Sequence, residues 1–181
     1  MTSFRSVTAL GDCVYEEHGR IDIWVNNAGA GLNLSVDRTA LLHEDLRGMN
    51  STHLRQITEV NYYGLVYGTI VAAACMKRQK QGDIVQILST SAFTPRVNES
   101  LYCAAKAAAA MFSEVAQKEL QEDGIRIFPI YPGGMDTGFF ETARLQKPNN
   151  AMNPADVADV ILNAVSQPRN VVVVPRIYRN E

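Results

Sequence analysis

The alternation of short apolar runs with long helical patterns constrains the fold of this 181-residue chain more than any other feature. Short runs rich in branched apolar residues predict buried strands, whereas apolar residues repeated every three to four positions predict helices. Strands separated by helices of this length imply right-handed crossovers and a parallel sheet covered on both faces. The sequence therefore predicts an α/β fold with a doubly wound parallel sheet in one domain spanning residues 1–181.

Glycines and helix-end signals set the limits of the predicted elements. The predicted strands are Ile21–Val25, Asp83–Ser89, Ile125–Tyr131 and Val171–Val174, and the predicted helices are Ser6–His18, His53–Lys80, Leu101–Glu122 and Pro154–Ser166. Pro129 lies inside the third predicted strand, where it would remove a hydrogen bond from the ladder. We therefore expect that strand to be irregular.

Charge and apolar content exclude several classes of protein. The chain has 17 basic and 19 acidic side chains, so it lacks the basic surplus of a nucleic-acid binder. Its longest apolar stretch, Leu65–Met76, is interrupted by Gly68 and is shorter than the ~20 residues of a membrane helix. The N-terminus carries no secretory pattern, and the three cysteines and three histidines lack metal-ligand spacing. We expect a cytoplasmic protein with reduced thiols and no bound metal.

Small and hydroxylated residues follow three of the predicted strands. The first strand ends in the motif 26–29 (NNAG), the second in 89–91 (STS), and the third in 132–137 (PGGMDT). Because ligands of open parallel sheets bind beyond the carboxyl ends of the strands, these three motifs predict a ligand site at one edge.

Tyr102 and Lys106 follow the second strand, four residues apart on one predicted helix. Their Cβ atoms should lie ~5–6 Å apart, so the ammonium could lower the pKa of the phenol and make it a useful acid or base. Tyrosine and lysine at this spacing are also common on helix surfaces, and the pair alone does not establish catalysis.

This pair is one of five motifs that follow one another along the chain. They are GRIDIWVNNAG (19–29), the asparagine of EVNYYG (59–64), GDIVQILSTSA (82–92), Tyr102-Cys-Ala-Ala-Lys106, and IRIFPIYPGGMDTG (125–138). In order and spacing they resemble the short-chain dehydrogenase/reductase family from about residue 8 to about residue 140. The resemblance implies a Rossmann-like fold and an oxidoreductase that moves a hydride between NAD or NADP and a carbonyl or alcohol substrate.

Four catalytic roles follow from the resemblance. It implies that Tyr102 is the acid/base and that Lys106 lowers its pKa and binds the nicotinamide ribose. Ser89 would hold the reacting oxygen of the substrate, and Asn61 would anchor a water in a proton relay. Ser89 could instead only end a strand, and Asn61 could be an ordinary polar residue in a helix.

The same resemblance implies a cofactor-binding edge and an assembly. Asn26, Ala28 and Gly29 would stabilise the sheet edge and pass close to the cofactor, and the nicotinamide end would be lined by Pro132, Gly133 and Thr137. The two long helices would form subunit interfaces, which implies a homodimer or homotetramer. Gln86 and Phe128 stand where relatives often have asparagine, and the sequence assigns them no function.

One expected motif is missing. The glycine-rich fingerprint that binds the cofactor pyrophosphate should lie well before Asn26, but only 25 residues precede that position. We therefore expect a chain that starts inside the family's third helix and lacks its first three strands. The strand at Ile21–Val25 would then be an exposed sheet edge, and the connection Ala30–Met49 an insertion near the active-site mouth.

Two other functions compete with an oxidoreductase. A chain without the fingerprint could be catalytically inert and act as an oligomerising or binding module through its long helices. An unrelated nucleotide-binding or flavodoxin-like domain would fit the strand pattern, but it would leave the five motifs unexplained.

Overall fold

Helices cover both faces of a four-stranded parallel sheet in the computed structural model, which describes residues 2–31, 50–142 and 146–179. Most of the connection Ala30–Met49 lies outside these residues. The strands, in the order β1-β2-β3-β4 across the sheet, are β1 (Ile23–Asn26), β2 (Gly82–Ile87), β3 (Ile125–Pro132) and β4 (Arg176–Ile177). The predicted α/β class with parallel strands is confirmed.

The helices lie close to their predicted positions. They are α1 (Phe4–His18), α2 (Ser51–Thr58), α3 (Gly64–Gln79), α4 (Ser100–Leu120), α5 (Phe139–Thr142) and α6 (Pro154–Val165). The helix predicted over His53–Lys80 is interrupted by one π-helical segment, Glu59–Tyr63, between α2 and α3. Lys80, with φ 53°, ends α3 in the left-handed region, a conformation more often adopted by glycine at this position.

Two apolar layers fix the sheet between its helices. On one face, Trp24, Ile84 and Ile127 pack in a cluster with Val71 of α3 and Val7 of α1. The opposite face carries Val85, Phe128 and Ile130, which pack against Ala164 of α6. This alternation along each strand is the period-two pattern of a sheet buried on both sides.

Strand β1 is covered on one face only, within the described residues. It pairs with β2 and has no second strand partner in the described ranges. Trp24 is buried, whereas the side chains of Ile23 and Val25 on the other face are 51% and 50% exposed. In the described part of the chain, the expectation of an exposed edge strand is confirmed.

The predicted strand Val171–Val174 was wrong, because the last strand is Arg176–Ile177. The reason lies in β3. Of the N–H groups of β3 that face β4, the one of Tyr131 donates to the carbonyl of Pro175 (2.9 Å). The Ile127 N–H donates instead to the side-chain oxygen of Gln117, and Pro129 has no N–H. A ladder with β3 can therefore begin only near Tyr131.

The same geometry explains how Pro129 fits into β3. The Ile130 carbonyl accepts from Leu88 N–H (2.8 Å) on the β2 side, so the backbone of Pro129 faces away from β2. The β2–β3 register therefore runs through Pro129, opposite Gln86, without losing a donor. The expected irregularity falls on the β4 side of the strand.

A buried polar cluster, which we term the scaffold network, joins β1, β2 and α3. The Trp24 indole N–H donates to Asn26 Oδ1 (2.8 Å), and Asn26 Nδ2 donates to Gln86 Oε1 (2.9 Å). Gln86 Nε2 donates to Thr69 Oγ1 (2.8 Å), whose hydroxyl donates to the Leu65 carbonyl (2.8 Å). Each of these polar groups has a partner, which is what burial requires.

Candidate active site

A cavity of about 280 Å³ opens where the carboxyl ends of β2 and β3 meet the start of α4. The cavity therefore lies at the predicted edge of the sheet. Seven of the residues predicted from sequence line this cavity: Gly29, Ser89, Tyr102, Lys106, Pro132, Gly133 and Thr137.

Lys106 brings a buried positive charge to the cavity. Its side chain lies on α4, the residue is 3% exposed, and Nζ donates to the carbonyl of Ile87 at the end of β2 (3.1 Å). Because burial penalises the charged form, the pKa of Lys106 falls to about 8. Nζ carries three donors and this bond uses one of them, so the ammonium can bind a ligand oxygen.

Tyr102 lies one turn before Lys106, with Lys106 Nζ 5.8 Å from the centre of its ring. Burial raises the pKa of Tyr102 to about 12, and a hydrogen bond with the Ser89 side chain opposes this rise. Nearby charges act in both directions, since Glu99 raises the pKa and Arg96 lowers it. The expectation that Lys106 brings the pKa of the phenol toward neutrality does not hold in this structure, because desolvation dominates and the phenol keeps its proton at pH 7.

Ser89 stands at the start of a short 3-10 turn, Thr90–Ala92, where the chain leaves β2. Its Oγ accepts from the N–H of Ser91 (3.1 Å), and the same side chain lowers the pKa of the Tyr102 phenol. The hydroxyl and the phenol therefore meet at the cavity. A ligand oxygen placed between them would reach two hydrogen-bonding groups at once.

Asn61 lies in the π-helical segment and is 1% exposed. Its Nδ2 donates to the carbonyls of Ala30 (2.8 Å) and Ile57 (3.0 Å), and its Oδ1 accepts from the Ala30 N–H (3.2 Å). The side chain thus fixes the segment after β1 to the helix. It lies beside the cavity without lining it, and the water-anchoring role stays a prediction.

Gly29 passes close to Asn61 and Lys106, which leaves little room for a side chain. A Cβ at this position would lie 3.2 Å from Asn61 Oδ1 and 3.4 Å from Lys106 Nζ. Gly133, on the other side of the cavity, is similarly close to the Ile177 carbonyl, which would be 3.3 Å from its Cβ. Both glycines leave bare backbone facing the cavity, as a closely bound ligand requires.

Two predicted cofactor residues are placed elsewhere. The Asn26 side chain belongs to the scaffold network on the α3 side of the sheet, and its neighbour Asn27 lines the cavity instead. Ala28 is exposed and does not line the cavity. The predicted role of Asn26 in stabilising the sheet edge agrees with its hydrogen bonds, whereas its contact with cofactor stays a prediction.

Several cavity residues had no sequence signal of their own. Arg96 and Glu99 precede α4, and Phe139 and Phe140 follow the glycine-rich turn after β3. Single residues in such loops follow no periodicity, so these four were not predicted from the sequence. The other residues that line the cavity are Asn27, Ile87, Leu88, Ser91, Gly134 and Met135.

The described residues contain no group of three or more histidine, cysteine or acidic side chains that could hold a metal ion. Among the helices within these same ranges, none has the length and apolar character needed to cross a membrane.

Comparison with known proteins places the chain in a family. A family model described as short chain dehydrogenase matches residues 1–148. An uncharacterized oxidoreductase of Staphylococcus saprophyticus is 31% identical over 176 residues, which cover 96% of this chain and 69% of the relative. A second, from Staphylococcus aureus strain N315, is 27% identical over 173 residues, covering 96% of this chain and 70% of the relative.

Solved structures share the fold. An alcohol dehydrogenase from the archaeon Thermococcus sibiricus, complexed with 5-hydroxy-NADP, superposes with a TM-score of 0.82 at 23% identity, covering 98% of this chain and 71% of that one. A serine dehydrogenase from Escherichia coli superposes with a TM-score of 0.79 at 23% identity, covering 99% and 72% of the two chains. With the family match over 148 residues, these findings show that the chain belongs to the short chain dehydrogenase family.

Proposed function

We propose that this chain is an NAD- or NADP-dependent oxidoreductase in which Tyr102 exchanges a proton with the oxygen of a carbonyl or alcohol substrate. The observation that carries the proposal is the meeting of Tyr102, Ser89 and the buried Lys106 ammonium in one cavity. Family membership and the oxidoreductase relatives agree with this chemistry.

The residues around the cavity fit a nicotinamide nucleoside. Lys106 Nζ has donors to spare for ribose hydroxyls, and Gly29 and Gly133 leave space that side chains would fill. Tyr102 and Lys106 would hold the ribose, and Pro132, Gly133 and Thr137 would lie along the nicotinamide end. The cofactor supplies or accepts the hydride at the reacting carbon.

The proton is handled by the chain's own side chains. In the direction of reduction, the Tyr102 phenol donates its proton to the substrate oxygen, and its raised pKa means that the proton is present at neutral pH. Ser89 holds that oxygen through its hydroxyl. The role of Lys106 is to hold the ribose, because desolvation and not its ammonium sets the pKa of the Tyr102 phenol.

Cofactor titration tests the binding part of the proposal. NADH and NADPH are added separately to the chain while nicotinamide fluorescence is followed, with Lys106→Met measured in parallel. We expect saturable binding of one or both cofactors by the wild type and loss of at least tenfold in affinity in the variant, because the ammonium that bonds the ribose is gone. Equal binding by the two proteins would contradict the assigned role of Lys106.

Turnover tests the chemical part. Tyr102→Phe removes only the hydroxyl, so reduction of a carbonyl substrate by the bound cofactor should fall about 10²- to 10⁴-fold, the usual range for a general acid. The unfolding curve should stay close to that of the wild type. A variant that keeps more than a tenth of the wild-type rate would refute Tyr102 as the proton donor.

We also propose that the chain assembles as a homodimer or homotetramer through α4. Its outer face carries Met111 and Val115, which are 63% and 46% exposed, beside the small side chains of Ala104, Ala107 and Ala108. An exposed apolar stripe of this kind favours helix–helix association. Sedimentation equilibrium of the wild type and of Met111→Glu tests it, and a wild-type monomer at 50 μM would contradict it.

A cytoplasmic location is part of the same proposal. The three cysteines, Cys13, Cys75 and Cys103, are free thiols, as expected in a reducing compartment. Cell fractionation with a tagged chain tests it, and recovery with the membrane or secreted fraction would contradict it.

A further inference from the structure

Arg96 is exposed and is the one arginine among the described residues that line the cavity. It lies in the loop between the 3-10 turn at Thr90–Ala92 and α4. Together with Ser89 and Tyr102 it lines the cavity, and its charge acts on the Tyr102 phenol. The guanidinium is therefore near the position where the substrate is proposed to react.

The loop that carries Arg96 is held at both ends. At its start, the N–H groups of Phe93 (3.1 Å) and Thr94 (3.0 Å) donate to the carbonyl of Thr90. The Phe93 ring also packs against Tyr131, with ring centres 4.5 Å apart. These contacts fix the first half of the loop to β3 and the end of β2.

A tight turn closes the loop. The Glu99 N–H donates to the Arg96 carbonyl (3.2 Å), and Asn98 between them has φ 65°. Asparagine tolerates this left-handed conformation better than most residues, and it suits the third position of such a turn. The backbone of Arg96 is thus fixed where its side chain lines the cavity.

The charge of Arg96 has no partner within the described ranges. Arg96 forms no ion pair with another residue of that part of the chain, whereas Arg126 and Arg169 are both paired with Asp83. Two cations, Arg96 and Lys106, thus line the cavity, against the one carboxylate of Glu99. The lining that the structure describes therefore favours an anionic ligand group.

Aromatic rings form another part of the cavity wall. The Phe139 ring centre lies 5.8 Å from that of Tyr102 and 5.8 Å from that of Phe140. The Phe139 N–H donates to Thr137 Oγ1 (3.3 Å), which fixes the start of α5 beside the cavity. This wall suits an apolar or aromatic group next to the reacting carbon.

We propose that Arg96 binds a carboxylate of the substrate, so that the chain acts on oxo or hydroxy acids whose remaining group is aromatic or aliphatic. The inference rests on the proposed oxidoreductase function and names its substrate class. A guanidinium matches a carboxylate with two parallel hydrogen bonds. A single unpaired guanidinium in a cavity that also contains Glu99 suits one negative charge better than the two of a phosphate.

The test compares an acid with its neutral analogue. The substrates are 2-oxo-4-phenylbutanoate and its ethyl ester, measured with NADPH and NADH for the wild type, Arg96→Gln and Arg96→Lys. We expect the wild type to prefer the acid, and Arg96→Gln to raise KM for the acid about 10- to 100-fold while changing KM for the ester less than threefold. Arg96→Lys should recover part of the preference.

Arg5→Gln is the matched control. Arg5 lies on α1 and does not line the cavity, so this variant removes the same charge from the chain without changing the site. It should leave both KM values unchanged. If Arg5→Gln and Arg96→Gln have the same effect, the preference comes from overall charge and the proposal is wrong.

Direct binding separates this inference from the proposed function. Calorimetric titration of 4-phenylbutanoate and 4-phenylbutanamide, with NADP⁺ present, measures recognition without turnover. Tighter binding of the acid that Arg96→Gln abolishes supports carboxylate binding by Arg96, and this result does not depend on the proposed function. If neither oxo compound is then reduced, the proposed reduction of oxo acids is refuted while the carboxylate site stands. Ester reduction that depends on Tyr102, with no acid preference in the wild type, would refute the inference alone, and so would absence of binding by both ligands.

Discussion

Two buried polar clusters lie on neighbouring parts of the sheet and use their hydrogen bonds in opposite ways. In the scaffold network, Thr69 Oγ1 accepts from Gln86 and Asn26 and donates to a helix carbonyl, so the hydroxyl has its full number of hydrogen bonds. In the site, the buried Lys106 ammonium makes one hydrogen bond within the described ranges, to the Ile87 carbonyl. The first cluster stabilises the fold, and the second keeps bonding capacity for a ligand at a cost in stability.

The pKa values show the same contrast. Burial holds the Lys106 pKa at about 8 and the Tyr102 pKa at about 12, so both groups are displaced from their ordinary values by desolvation. The scaffold network contains no ionisable group and has no such cost. Displaced pKa values in a cavity are typical of functional sites.

Filling the space beside the scaffold network should give the largest loss of stability. A Cβ at Gly68 would overlap the Asn26 amide and lie 2.9 Å from the Trp24 indole nitrogen. Gly68→Ala should therefore lower the free energy of unfolding by about 3 kcal/mol, because the buried side chains must move and lose hydrogen bonds. Urea denaturation measures this.

Gly138→Ala is the control for that substitution. No atom lies within 4 Å of a Cβ built at Gly138, so its effect should stay within about 0.5 kcal/mol. Equal effects of the two substitutions would show that the scaffold network is not tightly packed.

Removing one hydroxyl from the scaffold network should have a smaller effect. Thr69→Val keeps the shape of the side chain but leaves the buried Gln86 Nε2 without its acceptor and removes one of the two acceptors of Asn26 Nδ2, which should cost about 2 kcal/mol. Turnover per folded molecule should not change. Thr8→Val is the matched control, since the partly exposed Thr8 makes the same type of bond to the carbonyl four residues before it (3.0 Å). A drop in turnover with Thr69→Val would contradict the division between the two clusters.

A substitution within the site should affect stability least and activity more. Ser89→Ala removes the acceptor for the Ser91 N–H and should cost about 1 kcal/mol, as for loss of a capping residue. Turnover should fall at least tenfold, because the hydroxyl that holds the substrate oxygen is gone. Ser3→Ala removes a comparable cap at the start of α1, where Oγ accepts from Ser6 N–H (3.4 Å), and should leave turnover intact. Equal turnover in both variants would contradict the proposed role of Ser89 in holding the substrate oxygen.

Sequence reasoning predicted most elements and the position of the site, because periodicity and the carboxyl ends of parallel strands follow local rules. It failed at Val171–Val174, where the outcome depends on which N–H groups of β3 are available, and these are set by Gln117 and Pro129. It also gave Gln86 no function, although this side chain joins Asn26 to Thr69. Both results come from contacts between residues distant in sequence.

The cavity lining shows the same limit. Tyr102 and Lys106 lie one turn apart on a helix, so their proximity could be predicted from spacing alone. The contribution of Arg96 depends on a turn that includes the left-handed Asn98, and that of Phe139 on the path of the chain after β3. No local pattern encodes either position.

The most direct test of the contrast between the two clusters is the stability of Lys106→Met as a function of pH. The Lys106 pKa is about 8 in the folded chain and 10.5 ordinarily, so between these values the unfolded chain binds more protons and wild-type stability gains about 1 kcal/mol per pH unit from this group. The penalty of burying the charge is therefore full below pH 8. We predict that Lys106→Met is more stable than the wild type at pH 7 and that this advantage shrinks by pH 9.5. A variant that is less stable than the wild type at pH 7, by an amount that does not change with pH, would contradict the account.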